Sequence, residues 1–263
     1  MTDICYFLYM KCDLISASKD SHKNLYNVSL HKHNHFEIVY YISGNGDTII
    51  DGKKYTFSAN TFSIVRPNYS HREYSKDKVD LIYVGFSLPE GVNFTAKNGL
   101  YKCPTVVRLL NNLKEIKLEY DQKALYNEHR ISFLIQSMMV LVRRAIVMNK
   151  QKSLEMEKVK KYIYDNVDKN LNGISIAEHF SYSYDYFRKV FKEYFRVSIS
   201  DFIGKTRVDY ALKLLKKTNL SVKQVSKKCG FSSTSHFIAL FKKYNKVTPK
   251  QFLLNYDKNT EQK

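Results

Sequence analysis

The N-terminal part of the chain alternates apolar, β-branched and aromatic residues in short runs that predict a β-rich fold. The runs are Glu37–Ser43, Thr48–Ile50, Lys54–Phe57, Phe62–Val65 and Val79–Phe86. Turn-forming sequences separate them, including Gly44–Asp47 and Asp51-Gly52. Because turns recur about every ten residues, the segments between them are too short for helices. We therefore predict a sandwich or barrel of short strands here.

After Pro104 the apolar residues change to a helical spacing. One segment contains Val107, Leu110 and Leu113, and the next runs from Ile131 to Val142. The second segment is apolar on more than one face, so its helix has to be covered by more than one surface. Packing against its own barrel would satisfy this pattern, and so would packing against a partner subunit as well.

A polar break divides the chain near its middle. The segment Met148–Met156 is the predicted linker, with the boundary near Ser153. We expect an α+β protein with three regions, which are a barrel at 1–104, a supporting and dimerising helical region at 105–152, and an all-helical domain at 153–263. The apolar stretch before the break is shorter than the ~20 residues needed to cross a bilayer, so we predict a protein without a membrane span.

The C-terminal region contains an internal repeat. Phe187 and Phe191 correspond to Phe237 and Phe241 at an offset of 50 residues. Each unit is predicted to form a short helix, a tight turn and a second helix. The predicted helices are Ile174–Phe180 and Tyr184–Phe195 in the first unit, Val222–Cys229 and a helix ending near Asn245 in the second, and a joining helix over Asp201–Lys217.

Capping signals support these helix boundaries. Ser221 and Gln224 have the spacing of a capping box, and Gly230 is placed to end the same helix in a left-handed conformation. Ser183 is the predicted N-cap of the second helix of the first unit. Two short helices across a tight turn are the helix-turn-helix arrangement, whose second helix lies in the DNA major groove. Two such heads on a rigid helix are suited to major-groove turns ~34 Å apart.

The helical period assigns the outward faces of the two second helices. In the first unit, Asp185, Arg188 and Lys189 are the candidates for base contacts and Lys192 for a phosphate contact. In the second unit the outward residues are Thr234, Ser235, Ile238 and Ala239 as base-contact candidates, with Lys242 and Lys243 as phosphate contacts. The alternative for each charged residue is an ordinary solvated side chain on a helix surface.

The charge distribution helps to decide between DNA contact and an ordinary solvated surface. The chain has a formal net charge of +18, and residues 153–263 contribute +11, all of it from 178–250. A focused basic region indicates a polyanionic partner, either nucleic acid or an anionic membrane. The alternative is a lysine-rich solvated surface. Cysteines stand at positions 5, 12, 103 and 229 without a C-x-x-C pair, which is typical of reduced thiols in a cytoplasmic protein.

At this point the residues resemble the AraC/XylS family of transcriptional regulators. The resemblance covers residues 155–256 and rests on Ser183–Lys192, Cys229–Ser232, His236-Phe237, Phe241–Lys243 and Val247–Phe252. It implies base contacts at positions 185, 188 and 189 and corresponding candidates at 234, 235, 238 and 239. The family often has arginine where this chain has Ala239, which puts base reading by the second unit in doubt.

The N-terminal region resembles the cupin-type sensor domain of many such regulators. His31, His33, Glu37 and Gly44 match the first cupin motif, and Pro67–His71 resembles the second. In cupin enzymes the corresponding histidines and glutamate bind a metal, whereas the regulators use the pocket for an effector. The resemblance therefore implies an effector pocket without a metal or other cofactor at His31, His33, Glu37 and His71. We predict that Arg66 belongs to the same pocket, with Arg72 nearby, so that it accepts small polar or anionic molecules.

These inferences favour a cytoplasmic, sequence-specific regulator that binds double-stranded promoter DNA and has no enzymatic activity. The resemblance further implies a homodimer, a small-molecule effector, an activating effect and contact with RNA polymerase. The first alternative is a metal-dependent, dioxygenase-like cupin enzyme with a basic helical appendage. The second is a non-specific nucleic-acid-binding protein, for which the charge alone would suffice.

Overall fold

The computed structural model describes residues 11–260 except 24, 93, 104, 105 and 170, and leaves the side chains of 106 and 256–260 undescribed. The sequence predictions concerning Cys5 and Pro104 therefore lie outside the described residues. The chain divides into two compact units, Met1–Gln151 and Lys152–Lys263.

The described part of the first unit contains nine strands. They are β1 (Asp13–His22), β2 (Tyr26–His31), β3 (Phe36–Ser43), β4 (Asn45–Ile50), β5 (Lys53–Ser58), β6 (Thr61–Val65), β7 (His71–Ser75), β8 (Val79–Ser87) and β9 (Gly99–Lys102). They form a five-stranded sheet in the order β1-β8-β3-β6-β9 and a four-stranded sheet in the order β2-β7-β4-β5. Every pairing is antiparallel. The predicted α+β class and β-rich N-terminal fold are confirmed.

The two sheets face each other across a shared core. Tyr41 on β3 stacks on Phe57 of β5 with ring centroids 3.8 Å apart, and both side chains are fully buried. Neighbouring residues on β3 point the other way, because side chains alternate along a strand. Ile38 and Tyr40 are completely buried on that opposite face. The five-stranded sheet is therefore covered on both faces, which explains the nearly continuous apolar run of β3.

Two helices cover the outer face of the five-stranded sheet. They are α1 (Val106–Gln122) and α2 (Asn127–Asp165). Leu113 of α1 and Met138 of α2 are fully buried in the same cluster as Ile38 and Tyr40. The predicted region 105–152 thus lies almost entirely in the first compact unit, with the strands.

The polar segment Met148–Met156 is helical, so the prediction of an irregular linker is wrong. α2 runs through it for a total of 39 residues, and the boundary between the compact units falls inside this helix. The segment is rich in Lys, Gln, Glu and Met, which are good helix formers although most are polar. By length and composition α2 is also able to span a membrane, the one such helix among the described residues. Many of its apolar residues instead pack in the core of the first unit.

Four strands, β1, β2, β7 and β9, were not predicted from the sequence. The turn assigned to Gly44–Asp47 is also shorter than predicted, because β4 already begins at Asn45. Gly44 alone joins β3 to β4 of the other sheet, with φ +88°, and a Cβ there would lie 2.2 Å from the carbonyl oxygen of Lys78. Only glycine fits this position.

The second unit is helical and repeats a helix-turn-helix. Its helices are α3 (Gly173–His179), α4 (Tyr184–Phe195), α5 (Ile199–Lys217), α6 (Val222–Lys228), α7 (Thr234–Asn245) and α8 (Pro249–Thr260). Phe187 and Phe191 of α4 are fully buried in one cluster, and Phe237 and Phe241 of α7 are fully buried in another. The repeat found in the sequence is therefore a repeat of two small cores.

The predicted caps are found with one exception. Ser221 and Gln224 form the capping box of α6, and Gly230 follows that helix at φ +72°. Ser183 is the N-cap residue of α4, but its side chain makes no capping hydrogen bond. α3 has a capping box that was not predicted, formed by Asn172 and Ser175.

We expect Gly230→Ala to lower the free energy of unfolding by roughly 2–4 kcal/mol. A Cβ at this position would lie 2.9 Å from the carbonyl oxygens of Val167 and Lys169, in addition to the strain of a positive φ. Gly52→Ala is the matched control, because Gly52 has φ +73° but nothing within 4 Å of its added Cβ. That variant should lose only about 1 kcal/mol. Urea denaturation measures both values, and equal losses would contradict the crowding argument.

Candidate nucleic-acid interface and effector cavity

The outward face of α4 is charged. Phe187, Val190 and Phe191 are buried, and the helical period places the remaining positions on the surface. Asp185, Arg188, Lys189 and Lys192 are all exposed there, as the sequence analysis predicted. The side chain of Arg188 is 64% exposed, and its Nη2 lies 3.7 Å from Oδ1 of Asp185. The Arg188 guanidinium is therefore held at the surface, where its planar donors are free to meet a planar acceptor pair.

The outward face of α7 carries fewer charged residues than that of α4, and part of it packs against the protein core. Ser235, Ala239 and Lys242 are exposed, and Thr234 is half-buried. Ile238 was predicted to face outward, but it is half-buried and packs against the cluster formed by Phe237 and Phe241.

Lys243 has partners within the protein. Its Nζ lies 3.4 Å from Oδ1 of Asp201 and 5.5 Å from the ring centroid of Tyr244. The ion pair has side chains that are 61% and 53% exposed, so it is weak. Lys242 has no such partner among the contacts of the described residues, which makes it the better placed of the two for a phosphate.

Arg207 on α5 joins the two helix-turn-helix cores. Its Nη2 donates to the carbonyl oxygen of Lys169 at 2.8 Å, and its guanidinium lies 5.7 Å from the ring centroid of Phe231. Burial lowers the pKa of Arg207. Lys169 precedes α3 and Phe231 precedes α7, so these contacts of Arg207 connect the first helix-turn-helix to the second.

A cavity of about 470 Å³ opens between the sheets of the first unit. Among the described residues its lining consists of Ser16, Asp20, His22, Leu25, Tyr26, Asn27, Val28, His31, Glu37, Val39, His71, Glu73 and Tyr83. Of the five predicted pocket residues, His31, Glu37 and His71 line the cavity. His33 and Arg66 do not, although His33 contacts His71 with ring centroids 4.9 Å apart.

The histidines beside the cavity are oriented by backbone carbonyls. Nδ1 of His31 lies 2.9 Å from the oxygen of Ser29, and Nδ1 of His33 lies 2.9 Å from the oxygen of His35. A carbonyl only accepts hydrogen bonds, so these contacts assign the proton to Nδ1 and leave a lone pair on Nε2. Nδ1 of His71 is held in the same way by the oxygen of Tyr69 at 3.3 Å.

Glu37 lies against two of these imidazoles. Its Oε1 is 3.3 Å from Nε2 of His71, and its Oε2 is 3.7 Å from Nε2 of His33. Burial would raise the pKa of Glu37, but the contacts with His71 and His33 outweigh it and lower the pKa. For His71 burial favours a lower pKa, and the contact with Glu37 outweighs burial and raises it.

A second carboxyl group lies deeper in the same cavity. Glu73 is buried and accepts hydrogen bonds from the hydroxyls of Tyr26 and Tyr41. Burial, with a contribution from Glu37, raises the pKa of Glu73 to about 7, although the two hydroxyl contacts favour the ionised form. The pKa of Tyr26 is raised by burial and by the charge of Glu73.

Comparison with known families identifies both units. Residues 18–132 match the family model of the AraC-like ligand binding domain, and residues 176–255 match a helix-turn-helix domain. The chain is an AraC-type transcriptional regulator. The AraC/XylS family predicted from the doubled motif is confirmed. The predicted function of a DNA-binding regulator with a ligand-binding domain is confirmed as well.

Relatives of the AraC-type regulator are themselves transcriptional regulators. It is 28% identical over 235 residues to the uncharacterized HTH-type transcriptional regulator YfiF of Bacillus subtilis, covering 80% of this chain and 74% of that one. It is 22% identical over 238 residues to the HTH-type transcriptional activator RhaS of Enterobacter, covering 84% and 86%.

Two solved structures match the chain with low scores. The DNA-binding domain of AdpA in complex with a target DNA matches 41% of this chain and 97% of that one, at 19% identity and a TM-score of 0.39. ToxT of Vibrio cholerae with a bound unsaturated fatty acid matches 91% and 95%, at 14% identity and a TM-score of 0.34.

Several exposed residues of the DNA-binding unit were missed in the sequence analysis. Tyr186 on α4 is 53% exposed beside Lys189, one turn further along. Lys223, Lys227 and Lys228 are exposed on α6. The signal for these lysines in the sequence is the run of positive charges between Ser221 and Gly230.

The histidine cluster of the regulator has a donor set suited to a transition-metal ion. His31, His33 and His71 offer nitrogens that lie within 4.8 Å of one another, and Glu37 adds a carboxylate. Nε2 of His33 and Nε2 of His71 are buried without a hydrogen-bond partner. Imidazole and carboxylate ligands suit iron, manganese or zinc, and carbonyl-bound Nδ1 atoms are usual behind metal-bound histidines.

Proposed function

We propose that this regulator activates transcription by binding promoter DNA through α4 and α7, under the control of a small molecule in the cavity of the first unit. The observation that carries the proposal is the exposed cationic face of α4 on a doubled helix-turn-helix. Such a second helix is the element that enters the major groove. The net charge of +18 favours association with a polyanion.

The proposed contacts divide by chemistry. Arg188 and Lys189 donate to base edges, and Asp185 accepts from a cytosine amino group. In α7 the base-contact positions are Thr234, Ser235, Ile238 and Ala239, where Ile238 offers only the exposed part of its side chain. Lys192, Lys242 and Lys243 contact phosphates. His31, Glu37 and His71 contact the effector, with His33 behind them.

The proposal also states that the protein activates transcription, acts in the cytoplasm and has no enzymatic activity. Relatives named as transcriptional activators support activation, which requires a productive contact with RNA polymerase. The buried free thiols of Cys12 and Cys229 support the cytoplasm. The regulatory relatives support a protein without enzymatic activity.

We propose that the regulator is a homodimer joined along α2. Tyr126, just before the helix, and Phe133, Val140, Val147 and Leu154 repeat every seven residues. All five are exposed, by 43% to 73%. A seven-residue apolar repeat supplies one of the two apolar positions of a coiled-coil heptad and forms an apolar stripe along one face of the helix. We call these five residues the α2 stripe.

Selection of bound sequences from a random duplex pool tests the proposal. We expect the full chain at near-physiological salt to enrich two short boxes about one helical turn apart. A single box would show that α7 contacts only the DNA backbone and no bases. Binding of the pool without enrichment would contradict sequence-specific regulation and favour a general nucleic-acid-binding surface.

The convergent imidazole nitrogens favour one second candidate, a metal-dependent cupin enzyme. We expect metal removal by dialysis against EDTA to leave binding to the selected DNA unchanged, because the proposed DNA contacts all lie on α4 and α7. Elemental analysis before dialysis gives the metal content. One iron or manganese per chain that is lost in His71→Ala, with oxygen consumption that depends on it, would establish the second candidate instead.

A further inference from the structure

The cavity of this basic protein is acidic. Asp20, Glu37 and Glu73 line it, and the described lining residues include neither lysine nor arginine. The two arginines expected near the pocket lie elsewhere. Arg66 is not among the lining residues, and Arg72 is exposed on β7, between His71 and Glu73, which line the cavity. The described part of the lining therefore offers an anionic ligand no fixed positive charge from lysine or arginine.

Histidines complete the polar part of the lining. His71 is 2% exposed, and its Nε2 faces Oε1 of Glu37 at 3.3 Å, a contact that raises the pKa of His71. His31 is exposed, and its proton is directed to the carbonyl oxygen of Ser29, so its Nε2 is left as an acceptor for a ligand that brings a donor.

In the part of the chain that the structure describes, no lysine or arginine pairs with the carboxyl groups of the cavity. Among the described residues, Asp20 accepts a hydrogen bond from Ser18 at 2.6 Å, and Glu73 accepts from two tyrosine hydroxyls. The ion-pair contacts of Glu37 are with histidines only. A partly buried carboxylate is most stable when a cation neutralises it. The missing partner is supplied most simply by the ligand.

We propose that the cavity binds a small organic cation, a compound with one or more protonated amines on a short hydrocarbon chain. The inference rests on the proposed function, in which this cavity is the effector site. The ammonium groups donate to Asp20, Glu37 and Nε2 of His31. Leu25, Val28 and Val39 supply an apolar wall for the chain. The volume of about 470 Å³ holds an organic molecule and is far more than a bare metal ion occupies.

Three four-carbon compounds of different charge test this inference: 1,4-diaminobutane, 1,4-butanediol and succinate. Isothermal titration calorimetry of the full chain, in buffer with EDTA to remove metal ions, measures each affinity. We expect the diamine to bind at least tenfold more tightly than the other two. Equal or tighter binding of the diol would assign the cavity to neutral polyols, and tighter binding of succinate would assign it to anions. Either result, or no binding of the diamine, overturns the inference.

Variants show whether the diamine occupies this cavity. Asp20→Asn should weaken diamine binding at least tenfold, and Glu37→Gln serves as the second variant if the first fails to fold. Asp51→Asn is the matched control, because Asp51 is exposed in the turn between β4 and β5, away from the lining. An equal loss in Asp51→Asn would reveal non-specific attraction. DNA selection on the same preparation separates the two hypotheses, since a retained DNA motif without diamine binding overturns only the cation inference.

Discussion

Replacing Arg188 with alanine is expected to weaken binding to the selected DNA by about 1–3 kcal/mol, or roughly 5- to 150-fold. A guanidinium that donates two hydrogen bonds to one guanine carries both affinity and base preference. The variant should therefore also relax the preference at a single base pair. Fluorescence anisotropy with the selected duplex and with single-base variants measures both effects. Phe187 and Phe191 bury the other side of the helix, so the substitution at an exposed position leaves the fold intact.

Lys242→Ala is the matched comparison for Arg188→Ala. Lys242 is exposed on α7 and offers a single charge suited to a phosphate. Its loss should weaken binding to all sequences alike and reduce the slope of log affinity against log salt by about one. If Arg188→Ala behaved in the same way, with equal losses on every duplex, its assignment to base reading would be wrong.

The ion pair between Asp185 and Arg188 bears on the size of this effect. The two side chains are 90% and 64% exposed, so water screens their attraction strongly. The pair orients the guanidinium without holding it tightly. A base can therefore compete for Arg188, while Asp185 remains close enough to read the neighbouring position.

The helices of the second unit could be predicted closely because their signals are local. α4 begins and ends at the predicted residues, and the capping box of α6 is formed as the spacing of Ser221 and Gln224 indicates. The repeat of Phe187 and Phe237 fixed the register of both cores. The position of Ile238 was predicted wrongly because the helical period gives only the direction of a side chain. The cluster that contains Phe237 and Phe241 covers part of that direction.

The strands of the barrel were easiest to predict where they are buried on both sides. β3 and β8 were recognised from their apolar runs, whereas β1 (DLISASKDSH) and β7 (HREYS) are polar on alternate positions and carry charges. Sequence reasoning missed Asp20 and Glu73 as cavity residues because they lie on these two strands. The acidic character of the cavity follows from strand pairing between distant segments, and no local pattern reports it.

The linker error has a physical reason that also concerns dimerisation. Polar residues at Met148–Met156 indicate solvent exposure, which a helix satisfies as well as a loop does. Once the helix is continuous, Val147 and Leu154 fall in line with Phe133 and Val140. The stripe is visible only when the segment is known to be helical.

The double substitution Val140→Glu, Val147→Glu is expected to weaken the homodimer at least 100-fold, or about 3 kcal/mol. Both residues lie in the middle of the α2 stripe, and a twofold interface would bring four new carboxylates into an apolar seam. Charged groups buried without partners are strongly unfavourable. Sedimentation equilibrium gives the dissociation constant, and binding to a two-box duplex should weaken with it.

Val107→Glu is the control for this prediction. Val107 is 68% exposed on α1, so Val107→Glu introduces the same carboxylate at an exposed helical position outside the stripe. It should leave the dissociation constant unchanged. If the double variant kept its dimer, the α2 stripe would not be the interface. If Val107→Glu dissociated the dimer and the double variant did not, α1 would hold the interface, and the seven-residue repeat of α2 would need another apolar partner.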